Sequence, residues 1–326
     1  MDVGTGLFTC QRRPGDDRSF GEIYDEMLKL ARSIEEAELA SAWVSEHHFA
    51  EDGYLSGTMP SLGAIAAVTS DVSIGTCIAL APLYDPIRLI EDAATVDLLS
   101  NGRMHLGLSI GYREAEFDGF DVARSTRVER TMEAVELARA TWRGEGEPPD
   151  YPITPPPPGS GPPILLGGAA KPAVRRAARH ADGWIAPSSL DLDAIELRVN
   201  DIERVRENEG IERPFQVYVL RHGYVADDAD TAWESMRDGY LYLQRMYASW
   251  YAGEQIEQLD SKRRRELKER AILGDGDEVA SQLQPIGDRL GDDVHVILRT
   301  YYPGIGTEQM RRCIDRLGDE VLPQLP

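Results

Sequence analysis

Two adjacent histidines, His47 and His48, follow the short apolar run Ala42 to Glu46. An unperturbed imidazole titrates near 6.5, so either ring could give or take a proton close to neutral pH. Neighbouring side chains of a strand point to opposite faces, so the two histidines do not share one role and do not suit a two-histidine metal site. His47, at the C-terminal end of the expected strand, is the catalytic candidate; Glu46 points away from it and is expected to pair with a basic residue in the wall. A second chemical signal is Ile164-Leu165-Leu166-Gly167-Gly168-Ala169-Ala170-Lys171-Pro172, which reads as a strand, a small-residue turn and a helix start. Free N–H groups and the helix dipole suit a phosphate there, and glycines let it come close, so Gly167, Gly168 and Ala169 are cofactor-binding candidates. No cysteine and histidine spacing fits a zinc site, and no metal is expected.

Positioning these groups requires a scaffold, and the chain spells one out. Short apolar runs at Val3–Thr9, Ala42–Glu46, Val72–Leu80, Arg103–Ile110, Ile164–Gly167, Gly183–Ala186, Phe215–Leu220 and Val294–Leu298 alternate with helix-period segments. Those segments are Ser19–Leu39, Pro60–Thr69, Pro86–Leu99, Val122–Trp142, Pro172–His180, Leu192–Asn208, Glu278–Leu290 and Glu308–Leu322, with an extended helical insertion over Thr231–Leu273 after strand seven. Strands alternating with helices imply a parallel sheet covered by helices, and eight units allow closure into a (β/α)8 TIM barrel, an α/β fold. An open doubly wound sheet would want a glycine-rich fingerprint directly after the first strand, and Gly4-Thr5-Gly6-Leu7-Phe8-Thr9-Cys10 does not supply it. Residues 1–326 are expected to form a single domain.

Composition bounds the partners. The formal net charge is −21 over 326 residues. Such a surface repels phosphate backbones and anionic lipid, so neither nucleic acid nor membrane is an expected partner. Lysine occurs only at Lys29, Lys171, Lys262 and Lys268, and the acidic excess is compatible with a high-salt cytoplasm. The three cysteines Cys10, Cys77 and Cys313 are too few and odd in number for a disulfide framework, which fits a reducing, cytoplasmic setting.

Three segments together resemble the bacterial luciferase-like flavin monooxygenase family. They are Trp43-Val44-Ser45-Glu46-His47-His48-Phe49 with Glu51 and Gly53; Gly75-Thr76-Cys77-Ile78 with Pro82, Pro86, Arg88, Glu91, Asp92, Asp97 and Ser100-Asn101-Gly102-Arg103; and Gly107-Leu108-Ser109-Ile110-Gly111-Tyr112 with Glu116-Phe117. The resemblance implies a flavin at the C-terminal mouth of the barrel, His47 facing it and assisting proton movement, and a homodimer. It implies a bulge at Cys77-Ile78, often with a non-proline cis peptide, backing the ring, and places Ser109 at the cofactor as well. Luciferase itself carries a cysteine and a phosphate-binding arginine where this chain has Ser109 and Ile110, so its phosphate site and light emission are not expected here.

The resulting expectation is oxidation of a small organic substrate by O2 using reduced FMN from a separate flavin reductase, since no second nucleotide domain is visible. The turn at Gly167–Lys171 also resembles the deazaflavin branch of the superfamily, which keeps F420-dependent hydride transfer as the alternative. A non-catalytic flavin-binding protein is the alternative of another class. Arg221-His222 and Arg299 to Tyr302, after strands seven and eight, are expected at the mouth. The aromatic set Tyr240, Tyr242, Met246, Tyr247, Trp250 and Tyr251 in the insertion reads as packing that could also cover the site.

Overall fold

The computed structural model describes residues 1–326. Its strands are β1 (Asp2–Phe8), β2 (Ser41–Val44), β3 (Ser73–Thr76), β4 (Ala79–Leu80), β5 (Met104–Ser109), β6 (Ile164–Gly167), β7 (Gly183–Ala186), β8 (Gln216–Val225), β9 (Ile272–Gly274) and β10 (His295–Arg299). Every pairing is parallel, and the order β1-β2-β3-β5-β6-β7-β8-β10 returns to β1, closing a barrel of eight strands. The helices are α1 (Phe20–Glu36), α2 (Thr58–Val68), α3 (Pro86–Leu99), α4 (Glu114–Gly119), α5 (Arg127–Arg143), α6 (Lys171–His180), α7 (Leu192–Glu209), α8 (Ala229–Ala252), α9 (Ser261–Arg270), α10 (Gly276–Leu290) and α11 (Thr307–Arg316). The chain is therefore a (β/α)8 TIM barrel.

Local chemistry sets the element ends. The Ser19 hydroxyl accepts the Glu22 N–H while the Glu22 carboxylate accepts the Ser19 N–H, a capping box that starts α1. Asp85 caps α3 ahead of Pro86. At the opposite face of the barrel from the strand C-termini, the Arg103 guanidinium donates to the carbonyls of Ser100 (2.7 Å), Val72 (2.6 Å) and Thr69 (2.9 Å). That is a structural clamp between α2, α3 and β5.

Side chains inside the barrel stack in layers. Leu7, Trp43, Cys77, Leu165, Ile185, Tyr218 and Ile297 form one apolar cluster there, separate from the larger core between strands and helices. Near the N-terminal end the interior turns polar: Ser41 Oγ lies 2.7 Å from His295 Nε2 and accepts from Trp43 Nε1, and Tyr218 bonds His105 Nδ1 at 3.0 Å.

Several boundaries differ from the sequence reading. Strand two stops at Val44, so His47 lies on the following loop, its N–H bonded to the Leu55 carbonyl. The third strand breaks at Cys77-Ile78: β3 pairs with β2, while β4 pairs further along β5. The helix expected from Val122 begins only at Arg127, as α5, and a separate short helix, α4, precedes it. Strand seven runs on to Val225 because its second half gains a partner in β9. The insertion after it is helical in α8 and α9 but ends in that added strand. No helix is long and apolar enough to cross a membrane.

Candidate active site

The loop after β2 turns His47 inward, and its side chain is only 8% exposed. Its Nδ1 lies 2.8 Å from Oε1 of Glu116, a residue of α4 whose side chain is fully enclosed. The same oxygen accepts the His48 N–H at 2.9 Å. A carboxylate at Nδ1 fixes the donor on that nitrogen and leaves Nε2 as the free one. His47 Nε2 has no partner in the chain and is not among the sealed polar atoms, whereas Glu116 Oε2 is buried with no partner at all. Arg113, one turn before Glu116, donates to the carbonyls of His48 and Phe49 and so braces the loop from outside.

Four aromatic rings enclose the imidazole: Trp250 at 4.7 Å, Tyr54 at 4.9 Å, Tyr112 at 5.6 Å and Tyr247 at 5.9 Å between centroids. Tyr247 and Trp250 come from α8, which therefore roofs the mouth. The roof is latched to the loop beneath it. Tyr54 and Tyr247 share a 2.8 Å hydroxyl contact, Tyr242 donates to Asp52 at 2.8 Å, and Gln11 Nε2 donates to the same carboxylate oxygen. Tyr112 stacks on Tyr251 at 4.2 Å and 4°, and the Arg113 guanidinium covers Trp250 at 4.3 Å. The helical spacing that reads as packing in the sequence thus also places two rings directly over His47.

Glu46 pairs with no Lys or Arg; its one basic neighbour within ion-pair distance is His48. Its carboxylate accepts from the Leu80 N–H (2.8 Å) and the Tyr84 hydroxyl (2.8 Å), and one of its oxygens lies 2.6 Å from His48 Nε2. The register explains this: the β3–β4 break exposes the Leu80 N–H, and Glu46 fills the gap. His48 is thus committed to Glu46, while His47 faces the mouth.

Ile78, Ser109 and Gly167 converge on neighbouring strand ends. Ser109 pairs with Leu80 just past the Cys77–Ile78 peptide, which is cis. A Cβ on Gly167 would come within 2.5 Å of Ile78 Cδ1, so the glycine leaves room for the Ile78 side chain at the end of β6. Burial pushes the Cys77 thiol up to about 12, which keeps it protonated and suits it to packing rather than nucleophilic chemistry. Gly168, at φ +139, and Ala169 have their carbonyls taken from beneath by Trp184 Nε1 (2.9 Å) and Arg198 Nε (3.1 Å). The N–H groups of Ala169 and Ala170 meet no acceptor in the chain, and α6 begins at once without a side-chain cap. This donor set fits a phosphate, and the apolar Ile78 side chain beside it suits packing against a conjugated ring.

Arg221 and His222 do not follow strand seven as rim residues. Both are buried within β8, and Arg299, ending β10, is 2% exposed. No group of three or more His, Cys, Asp or Glu side chains is arranged to hold a metal ion.

A model of the luciferase-like monooxygenase family matches residues 1–293. The chain belongs to that family. It is an enzyme of the flavin-dependent monooxygenase and oxidoreductase kind. Among its relatives, it is 24% identical to the oxygenase component of the flavin-dependent trigonelline monooxygenase of Acinetobacter baylyi, over 97% of this chain and 94% of that protein. Its fold superposes on the monooxygenase RslO1 from Streptomyces bottropensis with a TM-score of 0.86, at 24% identity and 99% coverage of both chains. It superposes on an F420-dependent secondary alcohol dehydrogenase with a TM-score of 0.74, at 17% identity and full coverage of both chains.

Glu116 is the residue whose role the sequence did not reveal. It stands in the third quoted segment, 69 positions from His47, and no local pattern links the two. The buried Arg299 was anticipated at the mouth but not as an enclosed charge.

Proposed function

We propose that the protein is the oxygenase component of a two-component system that oxidises a small organic substrate with O2, using reduced FMN delivered by a separate flavin reductase. The observation that carries this reading is the His47–Glu116 pair, which leaves His47 Nε2 unbonded beneath the aromatic roof. When bound, reduced FMN would supply the two electrons that activate O2, one oxygen atom passing to the substrate and the other leaving as water.

Cys77 and Ile78 back the ring, Ser109 and Gly167 border it, and the N–H groups at Ala169 and Ala170 take the phosphate in place of the arginine that Ile110 lacks. His47 Nε2 gives or takes one proton at the substrate side, and Glu116 holds the ring and steadies the imidazolium while it exists. Tyr247, Trp250 and the rest of α8 exclude water from the reacting atoms. The trigonelline enzyme's standing as an oxygenase component supports the reductase partner. Residues 1–326 act as one cytoplasmic domain, paired as a homodimer.

The test is titration of the purified protein with reduced FMN and with F420, followed by turnover under air and without it. Tight binding of reduced FMN with strict O2 dependence is expected. Preference for F420 and anaerobic turnover would replace this reading with hydride transfer, and flavin binding without turnover would make it a carrier.

A further inference from the structure

Arg299 is the most enclosed cation in the molecule's interior and has no carboxylate within ion-pair distance. It ends β10, in the uppermost layer of the barrel interior. The alternation His295, Ile297, Arg299 faces inward, with Ile297 in the interior apolar cluster. Its guanidinium donates to the Tyr301 carbonyl (3.1 Å), to Thr9 Oγ1 (3.3 Å) and, at 3.5 Å, to the Tyr247 hydroxyl. The Tyr302 ring lies 5.7 Å away. All of these partners are neutral. The other interior neighbour is His222, facing in from the register-matched position on β8; burial, together with Arg299 and Arg221, holds its pKa well below the ordinary value, so it carries no charge either.

A buried guanidinium without a counter-ion is costly, and a bound anion would supply the missing charge. The surroundings say what kind of ligand. Tyr247 touches both sides: its hydroxyl is the longest of the three contacts to Arg299, and its ring is one of the four around His47. A small anion that displaced the Tyr247 hydroxyl would put the rest of its body beneath Trp250 and Tyr54, beside His47 Nε2.

We propose that the substrate carries a carboxylate or similar planar anionic group on a flat, aromatic-sized body, and that Arg299 receives that anion. This rests on the oxygenase reading only for the word substrate; the anion site itself stands on Arg299. Arg299 binds bidentately to the anion, and the roof of α8 stacks on the ring.

The test uses benzoate and its neutral isostere benzamide as probes, with binding to the flavin-free protein read by calorimetry. Reduced FMN is titrated in parallel. Wild type is expected to bind benzoate at least about tenfold more tightly than benzamide. Arg299→Met should abolish the difference, and Arg299→Lys, which keeps the charge but not the fork, should weaken benzoate several-fold while keeping a preference. FMN affinity should be unchanged in both. Equal binding of the two probes by wild type, or a preference that survives in Arg299→Met, overturns the proposal. Should Arg299→Met fail to fold, a lysine variant indistinguishable from wild type overturns it. Loss of reduced-FMN binding with intact benzoate preference in either variant would assign the charge to the cofactor and overturn it too. Absence of FMN binding by wild type would sink the oxygenase reading and leave the anion site standing.

Discussion

Nδ1 of His47 and Oε1 of Glu116 lie 2.8 Å apart, and the carboxylate is fully buried with its second oxygen unpartnered. His47 comes from the loop after β2 and Glu116 from α4, and their contact controls where the imidazole proton sits. His47→Ala should lower turnover by about 10² to 10⁴ while leaving flavin affinity within about threefold of wild type. Stopped-flow titration and steady-state rates check both numbers, and unchanged turnover would remove His47 from the chemistry.

Glu116→Gln probes the partner. The amide still accepts from Nδ1, but it cannot offset a positive ring, and its NH2 enters the space where Oε2 has no acceptor. Turnover should fall by about 10- to 100-fold, and stability by about 1–3 kcal/mol for the unsatisfied donor. Rates corrected for folded fraction, with denaturant melts alongside, separate the two losses.

Glycines at two positions should differ sharply. A Cβ on Gly107 would lie 2.0 Å from the Thr76 backbone oxygen, which cannot yield without parting β3 from β5. Gly107→Ala should therefore cost at least about 3 kcal/mol of stability, in the range of severe overpacking. At Gly167 the obstacle is the tip of the Ile78 side chain, which can rotate. Gly167→Ala should fold normally and weaken flavin binding instead, because Ile78 is pushed towards the ring. Thermal melts and flavin titration of the two variants decide this.

Asp97 gives a pH signature. Burial raises its carboxyl to about 6, opposed by the Met104 N–H that it accepts. A carboxyl raised in the folded state binds its proton more tightly there than in the unfolded chain. Its contribution is favourable below about pH 4 and is lost as pH rises through 6. Asp97→Asn keeps the acceptor and removes the charge. It should stabilise the protein by about 1 kcal/mol at pH 8 and by nothing measurable at pH 4, by thermal melts at the two values.

Much of the scaffold is legible in the sequence because it rests on local signals. The Ser19–Glu22 capping box, Pro86 behind Asp85 and the short apolar runs each fix an element from neighbouring residues alone. Elements that depend on distant partners escape that reading. β9 is three residues long and pairs with the far end of β8, and where β3 parts from β4 the Leu80 N–H is taken by the distant Glu46 carboxylate. The site divides the same way. The candidates His47, by residue type, and the Gly167–Ala169 turn, by composition after a strand, are visible in the sequence. Glu116 as a histidine partner, Glu46 as a backbone acceptor and Arg299 as an isolated charge are facts of tertiary placement. His47 and His48 turn to different partners as loop residues beyond Val44 rather than by strand alternation, and Glu46, expected to pair with a basic wall residue, meets no Lys or Arg because the Leu80 N–H, the Tyr84 hydroxyl and His48 already fill its carboxylate.

The loop that presents His47 also carries Asp52 and Tyr54, the two residues that fasten α8. The stretch that holds α8 in place is therefore also the stretch that aims the imidazole, so the roof and the proton-handling ring are set by one short length of chain.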